Sequence, residues 1–434
     1  MDTTTLSIII LLGGFAVLLA LRVPVTFSLL LATLGSALVN GTSLSVMVRQ
    51  LIDGVNNFTL LAIPFFILMG EFMAAGGISE KIVDLANLVV GRFRGGLAYV
   101  NVLDSMFFGG ISGSAVADVS SLGSIVIPMM VKQGYDREFS VGLTVVTACQ
   151  GVLIPPSHNM VIYALAAGSG VSIGALLMAG AVPGVLLGAC LIVLCFFMAE
   201  RYKFPKGTRI PRDQWGRIII NAILPMFTLV IIMVGVGAGI FTATESSAIA
   251  CVYTFLLSYV IFRSAKLRDI GKVLRNALRT LAVVMALIAC AKAFAYMMTE
   301  LRVPAMVSAA LLSITESKVL LLLLINILLL VLGCFMDMAP LIMIMTPILL
   351  PVVTSPAIGM HPIHFGVMLI FNLAVGLCTP PVGSALFVGC AVGKTSIEST
   401  SKKMLPMFGV MVFALMLVTF IPQISLWLPQ MLFP

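Results

Sequence analysis

The chain has 434 residues, of which 60% are hydrophobic and only 10% charged, and its formal charge is +8. Soluble domains carry roughly 25% charged residues, so this composition excludes a soluble enzyme and identifies an integral membrane protein. The positive balance does not point to nucleic acid, because Lys and Arg lie in short loops between apolar runs, as they do in cytoplasmic loops of membrane proteins.

Met1 to Thr5 carries Asp2 and no basic stretch, so no cleaved signal peptide is expected and the first apolar run stays as a helix. Leu6–Leu21 and Pro24–Val39 read as two short spans joined at Arg22 and Val23. Thr42–Phe58, with Arg49, Asp53, Asn56 and Asn57, is too polar to span and suits a helix along the membrane surface. Leu60–Gly76 crosses again and carries Glu71, and Glu80–Arg94 is an amphipathic surface arm. Leu97–Met130 has the length of two half-crossings around a glycine- and serine-rich middle, which fits a helical hairpin that dips in and returns. After the polar loop Lys132–Glu138 come a span broken by a double proline, Phe139–Gly168, an unbroken span, Gly174–Met198, and a basic loop to Arg217.

The second half repeats this order. Ile218–Gly237 and Thr244–Phe262 are spans, Arg263–Arg279 is a basic amphipathic arm, Leu281–Met298 is a span carrying Lys292, and Val303–Ile314 is interfacial. Val319–Val353 reads as a second hairpin, Phe365–Gly393 as a second broken span, Lys394–Lys403 as a polar loop and Leu405–Leu428 as the last crossing. An offset of 225 residues aligns Gly151 with Gly376, Pro155 with Pro380, Pro156 with Pro381 and Gly168 with Gly393. The expected fold is an all-α polytopic membrane protein built by duplication: a repeat over 1–198, a basic linker over 199–217 and a repeat over 218–434. Each repeat holds five spans and one re-entrant hairpin, at about 97–130 and 319–353, with broken helices at about 139–168 and 365–393.

With the basic clusters Arg201–Arg217 and Arg263–Arg279 in the cytoplasm, Arg49, Arg302 and Lys318 are the members of the 25 Lys and Arg that fall outside, and Lys292 lies within a span. This orientation places both termini in the periplasm and makes the hairpins enter from opposite sides, so the repeats are inverted. Inverted repeats that bring discontinuous helices to the midplane are a transporter signature.

Two prolines in succession leave helix carbonyls without donors. At Ile154–Asn159 such carbonyls lie beside Ser157 and Asn159, and at Thr379–Ser384 beside Thr379 and Ser384. The hairpin tips add Ser112, Gly113, Ser114 and Asp118 in the first half, and Gly333 and Asp337 in the second. Neutral oxygens with one carboxylate suit a hard monovalent cation, and sodium is the natural candidate because the carboxylate density of a calcium site is missing. A carboxylate at membrane depth is a functional candidate by default; the plainer alternative is that Asp118 and Asp337 cap the returning half-helices.

Gly109, Gly110 and Gly113, with half-helix N-termini, suit a carboxylate ligand or serve close packing. Glu71, Asp104, Glu245 and Lys292 are the remaining charges at membrane depth; Lys292 is expected either to pair with one of these acids or to face an anionic substrate. His158 reads as a helix-end hydrogen bond in preference to a proton carrier. The eight cysteines sit in apolar runs without metal-ligand spacing and read as small buried hydrophobes. With no His-Glu-x-x-His sequence and no nucleophile beside an evident base, no catalytic residue is expected.

The segments GGISGSAVADVSSLGSIVIPMM, GVLIPPSHNM, GIFTATESSAIACVY, GCFMDMAPLIMIMTPILLP and LCTPPVGSALFVG together resemble the large membrane subunit of the tripartite ATP-independent periplasmic (TRAP) transporters. The resemblance runs from IPFFILMGEFMAAGG at Ile63 to the last span. It implies an elevator-type secondary transporter of the bacterial inner membrane that uses a sodium gradient to import organic acids such as C4-dicarboxylates, sialic acid and related sugar or keto acids. It implies a soluble periplasmic substrate-binding protein and a small four-helix membrane subunit, expected here as a separate polypeptide, with membrane lipid around both. One sodium site would use Ser112, Ser114 and Asp118 with the break at Pro155 and Ser157; the other would use Gly333 and Asp337 with the break at Thr379 and Gly383. Gly110, Gly113, Asn159, Ser384 and Lys292 are the substrate-binding candidates. The nearest rivals are a binding-protein-independent sodium/organic-anion symporter and a sodium/proton antiporter of the same superfamily.

Overall fold

The computed structural model describes residues 2–168, 170–207, 210–315 and 317–433, and the side chains of all of these except 110–112 and 312. The first half runs α1 (Thr3–Ala20), α2 (Val25–Asn40), α3 (Leu44–Val55), α4 (Phe58–Ala75) and α5 (Ile78–Val90). It continues with the hairpin arms α6 (Gly96–Ser112) and α7 (Ala115–Lys132), the broken pair α8 (Arg137–Gly151) and α9 (His158–Ala167), and α10 (Ile173–Arg201). The second half runs α11 (Trp215–Gly237), α12 (Ala243–Ile261), α13 (Ile270–Glu300) and α14 (Val303–Ile314). Then come the hairpin arms α15 (Lys318–Gly333) and α16 (Met338–Val353), the broken pair α17 (Pro362–Leu377) and α18 (Ser384–Gly393), α19 (Ile397–Phe420) and α20 (Gln423–Leu432). Among the described residues all regular elements are helices, and eight are long and apolar enough to cross a membrane.

The helices sort into two bundles. In one, α13 packs along α2, α3 and α4, and α12 packs on α4 and α11. In the other, α8 packs on α6, α7 and α19, α17 packs on α15, and α10 backs the group with α19 and α20. The halves interlock there, because α18 lies on α7 and α8 while α9 lies on α16. The centre is α8 and α17, buried on every face from Phe139 to Gly151 and from His364 to Leu377. A helix that finds protein on all sides needs its polar groups matched inside. Asn101 Nδ2 donates to Thr144 Oγ1 at 2.7 Å, and Thr147 Oγ1 donates to Asn101 Oδ1 at 3.1 Å. In the second half Asn372 Nδ2 donates to Asn326 Oδ1 at 2.8 Å. The offset of 225 relates both members of this pair, Asn101 to Asn326 and Thr147 to Asn372.

Two expectations are corrected. The arm at Arg263–Arg279 and the span at Leu281–Met298 are one continuous helix, α13. No proline interrupts it and Gly271 is its only glycine, so propagation at one hydrogen bond per residue carries through the change from polar to apolar side chains. The polar loop at Lys394–Lys403 is helical from Ile397, with Ser396 accepting from Ser399 N at 3.1 Å as its cap and Lys402 reaching Glu398 at 2.7 Å. The last crossing consequently ends at Phe420, before Pro422.

Asp136 anchors the start of α8. Its carboxylate accepts from Phe139 N at 2.9 Å and lies 3.3 Å from Lys403 Nζ on α19. Burial works to raise this carboxyl, but the Phe139 amide and the Lys403 ammonium outweigh it and hold it below the ordinary 3.8. Asp136→Ala is expected to cost about 1 kcal/mol, the usual worth of such a cap. Because the folded state depresses the pKa, the contribution is complete above the unfolded value and is lost as pH falls through the lower folded one. Melting curves of the two proteins should therefore differ near neutrality and converge as pH falls through the lowered folded-state pKa.

Candidate functional site

The first hairpin turns at Gly113, whose φ of +64° is open to glycine, and whose N–H donates to Gly109 O at 2.8 Å. Ser114 then caps α7, accepting from Ala117 N at 3.4 Å. Asp118 is therefore not the cap residue; it sits in the first turn of α7 with its side chain at 0% exposure. The tip rests on the break between α8 and α9. A Cβ on Gly113 would lie 3.0 Å from His158 Nδ1 and 3.4 Å from Pro156 O, and Asn159 Nδ2 donates to Gly113 O at 3.4 Å. Ser157 Oγ, also at 0% exposure, has no hydrogen-bond partner among the described residues.

A glycine seam closes this site. The backbones of Gly109 on α6 and Gly151 on α8 touch, and Asp118 Oδ2 lies 2.9 Å and 3.1 Å from where their Cβ atoms would be. The second half has the same seam, with a Cβ on Gly376 placed 2.7 Å from Gly333 Cα. Cys334 O accepts from Val382 N at 3.2 Å and from Gly383 N at 3.4 Å, which holds the second break against its hairpin. The carbonyls of Thr379 and Leu377 lie 2.8 Å and 3.1 Å from the Cβ position of Gly383, and Pro381 has no N–H to offer Leu377. Asp337 precedes α16 without capping it by its side chain, and its Oδ1 accepts from Ser384 Oγ at 3.5 Å.

The two sites differ in access: Asp118 and Ser157 are fully buried, whereas Asp337 is exposed and Ser384 half-buried. Each seam brings one carboxylate together with hydroxyls and backbone carbonyls, and at the first His158 Nδ1 also approaches the hairpin tip. Of the sequence candidates, Gly113, Ser114, Asp118, Pro155, Ser157 and Asn159 belong to the first seam, and Gly333, Asp337, Thr379, Gly383 and Ser384 to the second. Gly110 and Ser112 end α6, and their side chains lie outside the described residues. Gly109, Gly151, Gly333 and Gly376 were all singled out in the sequence, but their pairing into seams and the Asn101–Thr147 pair were not, although the recurrence of Asn at 101 and 326 was a visible sign.

Lys292 and Glu245 are corrected. Lys292 is exposed and not buried against an acid; it lines a cavity of about 850 Å³ with Asn57, Thr59, Ser172 and Glu245. Glu245 is exposed too and closes a capping box, accepting from Thr242 N and Thr242 Oγ1, each at 2.8 Å.

Over residues 12–424 the chain matches the family described as tripartite ATP-independent periplasmic transporter, DctM component. The protein belongs to this family. The TRAP large permease SiaM of Vibrio cholerae, named for sialic acid, is 37% identical over 96% of this chain and 97% of that one. An uncharacterized protein of Salmonella typhimurium, YgiK, is 40% identical over 98% of each chain. The crystal structure of the YdaH transporter of Alcanivorax borkumensis shares the fold, with a TM-score of 0.64 and 14% identity over 87% of this chain and 88% of that one. This TRAP permease is accordingly a multi-pass membrane transporter of a family that handles C4-dicarboxylates, sialic acid and related acids.

Proposed function

We propose that this chain is the translocation subunit of a sodium-coupled importer of an organic acid in a bacterial inner membrane. The supporting observation is the pair of seams, each joining a hairpin carboxylate to a proline-broken helix among hydroxyls and backbone carbonyls. Bound sodium would place a positive charge beside Asp118 and Asp337, and an ion moving inward at about 100 mV releases roughly 2.3 kcal/mol. Ser157, whose buried hydroxyl has no partner among the described residues, and the Pro156 carbonyl would hold it with Asp118 and the Ser112–Ser114 tip. Thr379, Gly383 and Gly333 would do so with Asp337. Gly113, Asn159 and Ser384 lie beside these groups and would meet the carboxylate of the substrate, with Gly110 of the same tip.

The two bundles fit an elevator. The hairpins, broken helices, α10, α19 and α20 would move as a body against α1–α4 and α11–α13, with α5 and α14 as the connecting arms. Inverted repeats supply the two symmetric end states. A separate small membrane subunit would brace the static bundle, and a periplasmic substrate-binding protein would deliver the acid. No catalytic chemistry is assigned to the chain. Lys292, exposed on the static bundle in a cavity that residues of both bundles line, would attract the anion.

The decisive experiment is uptake of labelled organic acids into proteoliposomes holding the chain and its small subunit, with and without a sodium gradient and the binding protein. Uptake that needs both is the expected result; uptake indifferent to sodium overturns the coupling, and uptake indifferent to the binding protein favours a stand-alone carrier. In the same assay Lys292→Met is expected to raise the half-saturating substrate concentration by about tenfold, the effect of a lost attraction of about 1.4 kcal/mol. An unchanged value would remove Lys292 from the substrate path.

A further inference from the structure

Asp104 takes no part in the seams. It lies on α6 at 0% exposure, yet neither Oδ1 nor Oδ2 has a hydrogen-bond partner among the described residues. The charged group that acts on it is Asp118, of the same sign. An ionised carboxylate without hydrogen bonds or counter-charge is among the costliest groups to bury, and a like charge nearby adds to that cost.

The second half offers an internal comparison. The offset of 225 that carries Asn101 to Asn326 and Thr147 to Asn372 carries Asp104 to Leu329, which is also at 0% exposure. Leucine therefore satisfies packing at this position of a hairpin arm. The acid in the first half is not needed to fill space, to bridge helices or to cap one.

We infer that Asp104 is a cation-binding carboxylate in its own right, taking up a monovalent hard cation on α6 in addition to the one assigned to Asp118. The identity of that cation as sodium rests on the proposed coupling. A positive charge at Asp104 supplies the partner its oxygens lack and relieves the repulsion with Asp118. Asn101, three residues earlier, is on the same face of α6 as Asp104. With Leu329 in the corresponding place, the first hairpin would carry one more ion than the second, and the two halves of the cycle would be electrically unequal.

The test uses the full chain in lipid nanodiscs, comparing wild type with Asp104→Asn, Asp104→Leu and Asp118→Asn. Bound radioactive sodium is counted at saturation, and melting temperature is measured in sodium and in choline. Each Asp104 variant is expected to bind one sodium fewer than wild type and to show a smaller sodium-induced rise in melting temperature. In choline both should melt no lower than wild type, because an unpartnered acid has been removed, and this reports that they fold. Asp118→Asn should also lose one sodium, and the Asp104→Asn/Asp118→Asn double variant two. Asp104 variants with wild-type stoichiometry, beside an Asp118 variant that has lost its ion, would overturn this inference and leave sodium coupling standing. Absence of sodium binding by wild type would overturn both.

Discussion

Asp118→Ala is expected to reduce sodium-driven uptake by about 100-fold or more, whereas Asp337→Ala is expected to shift the half-saturating sodium concentration by only about tenfold. The difference comes from burial. Asp118 is fully enclosed against the Gly109–Gly151 seam, and removing one member of a buried charged assembly typically costs about 3–5 kcal/mol, where 1.4 kcal/mol is a factor of ten. Asp337 is exposed and shares its oxygen with Ser384 at 3.5 Å, so water replaces part of what the carboxylate supplies. Sodium titrations of uptake in proteoliposomes would separate the two. Equal effects of the two substitutions would contradict the inequality of the sites seen here.

The second large effect is expected at Gly376. Alanine there would place a Cβ 2.7 Å from both Gly333 C and Gly333 Cα and 2.9 Å from Gly333 O. All three are backbone atoms of the hairpin arm, which cannot rotate away as a side chain would. The hairpin must lift from α17, and a destabilisation of about 3 kcal/mol, at the upper end for overpacking, should accompany loss of uptake. Gly409→Ala is the control. Its Cβ meets nothing within 4 Å on α19, and alanine in a helix interior is favoured over glycine by about 0.5–1 kcal/mol. Melting temperatures should fall for Gly376→Ala and hold or rise for Gly409→Ala; a Gly376→Ala protein that melts and transports like wild type would show that the seam is not required.

Much of this architecture is local information. Helix breaks were legible because proline withholds an N–H and glycine admits φ near +64° within a residue or two. The turn at Gly113 and the gap between Gly151 and His158 follow from those residues whatever surrounds them. Membrane residence followed from composition alone, and the TRAP family followed from motifs in sequence order. Where local signals were weak the reading failed. The run Ile270–Glu300 changes from polar to apolar without a breaker, and Lys394–Lys403 is polar without being a loop. In both cases polarity stood in for backbone conformation, which it does not dictate.

The order of elements, the breaks in them and the residue types of the candidate sites were thus determined by the sequence itself, because each depends on backbone chemistry within a few residues. Only the tertiary structure decided that Gly109 meets Gly151, that Asn101 holds Thr147 across 46 positions, and that Lys292 faces a cavity instead of an acid. It also decided that one hairpin carboxylate is enclosed while the other is open, and that Asp104 is buried without a hydrogen-bond partner among the described residues. Burial and partnership are set by whichever distant segments pack on a residue, and a single helix carries no record of them.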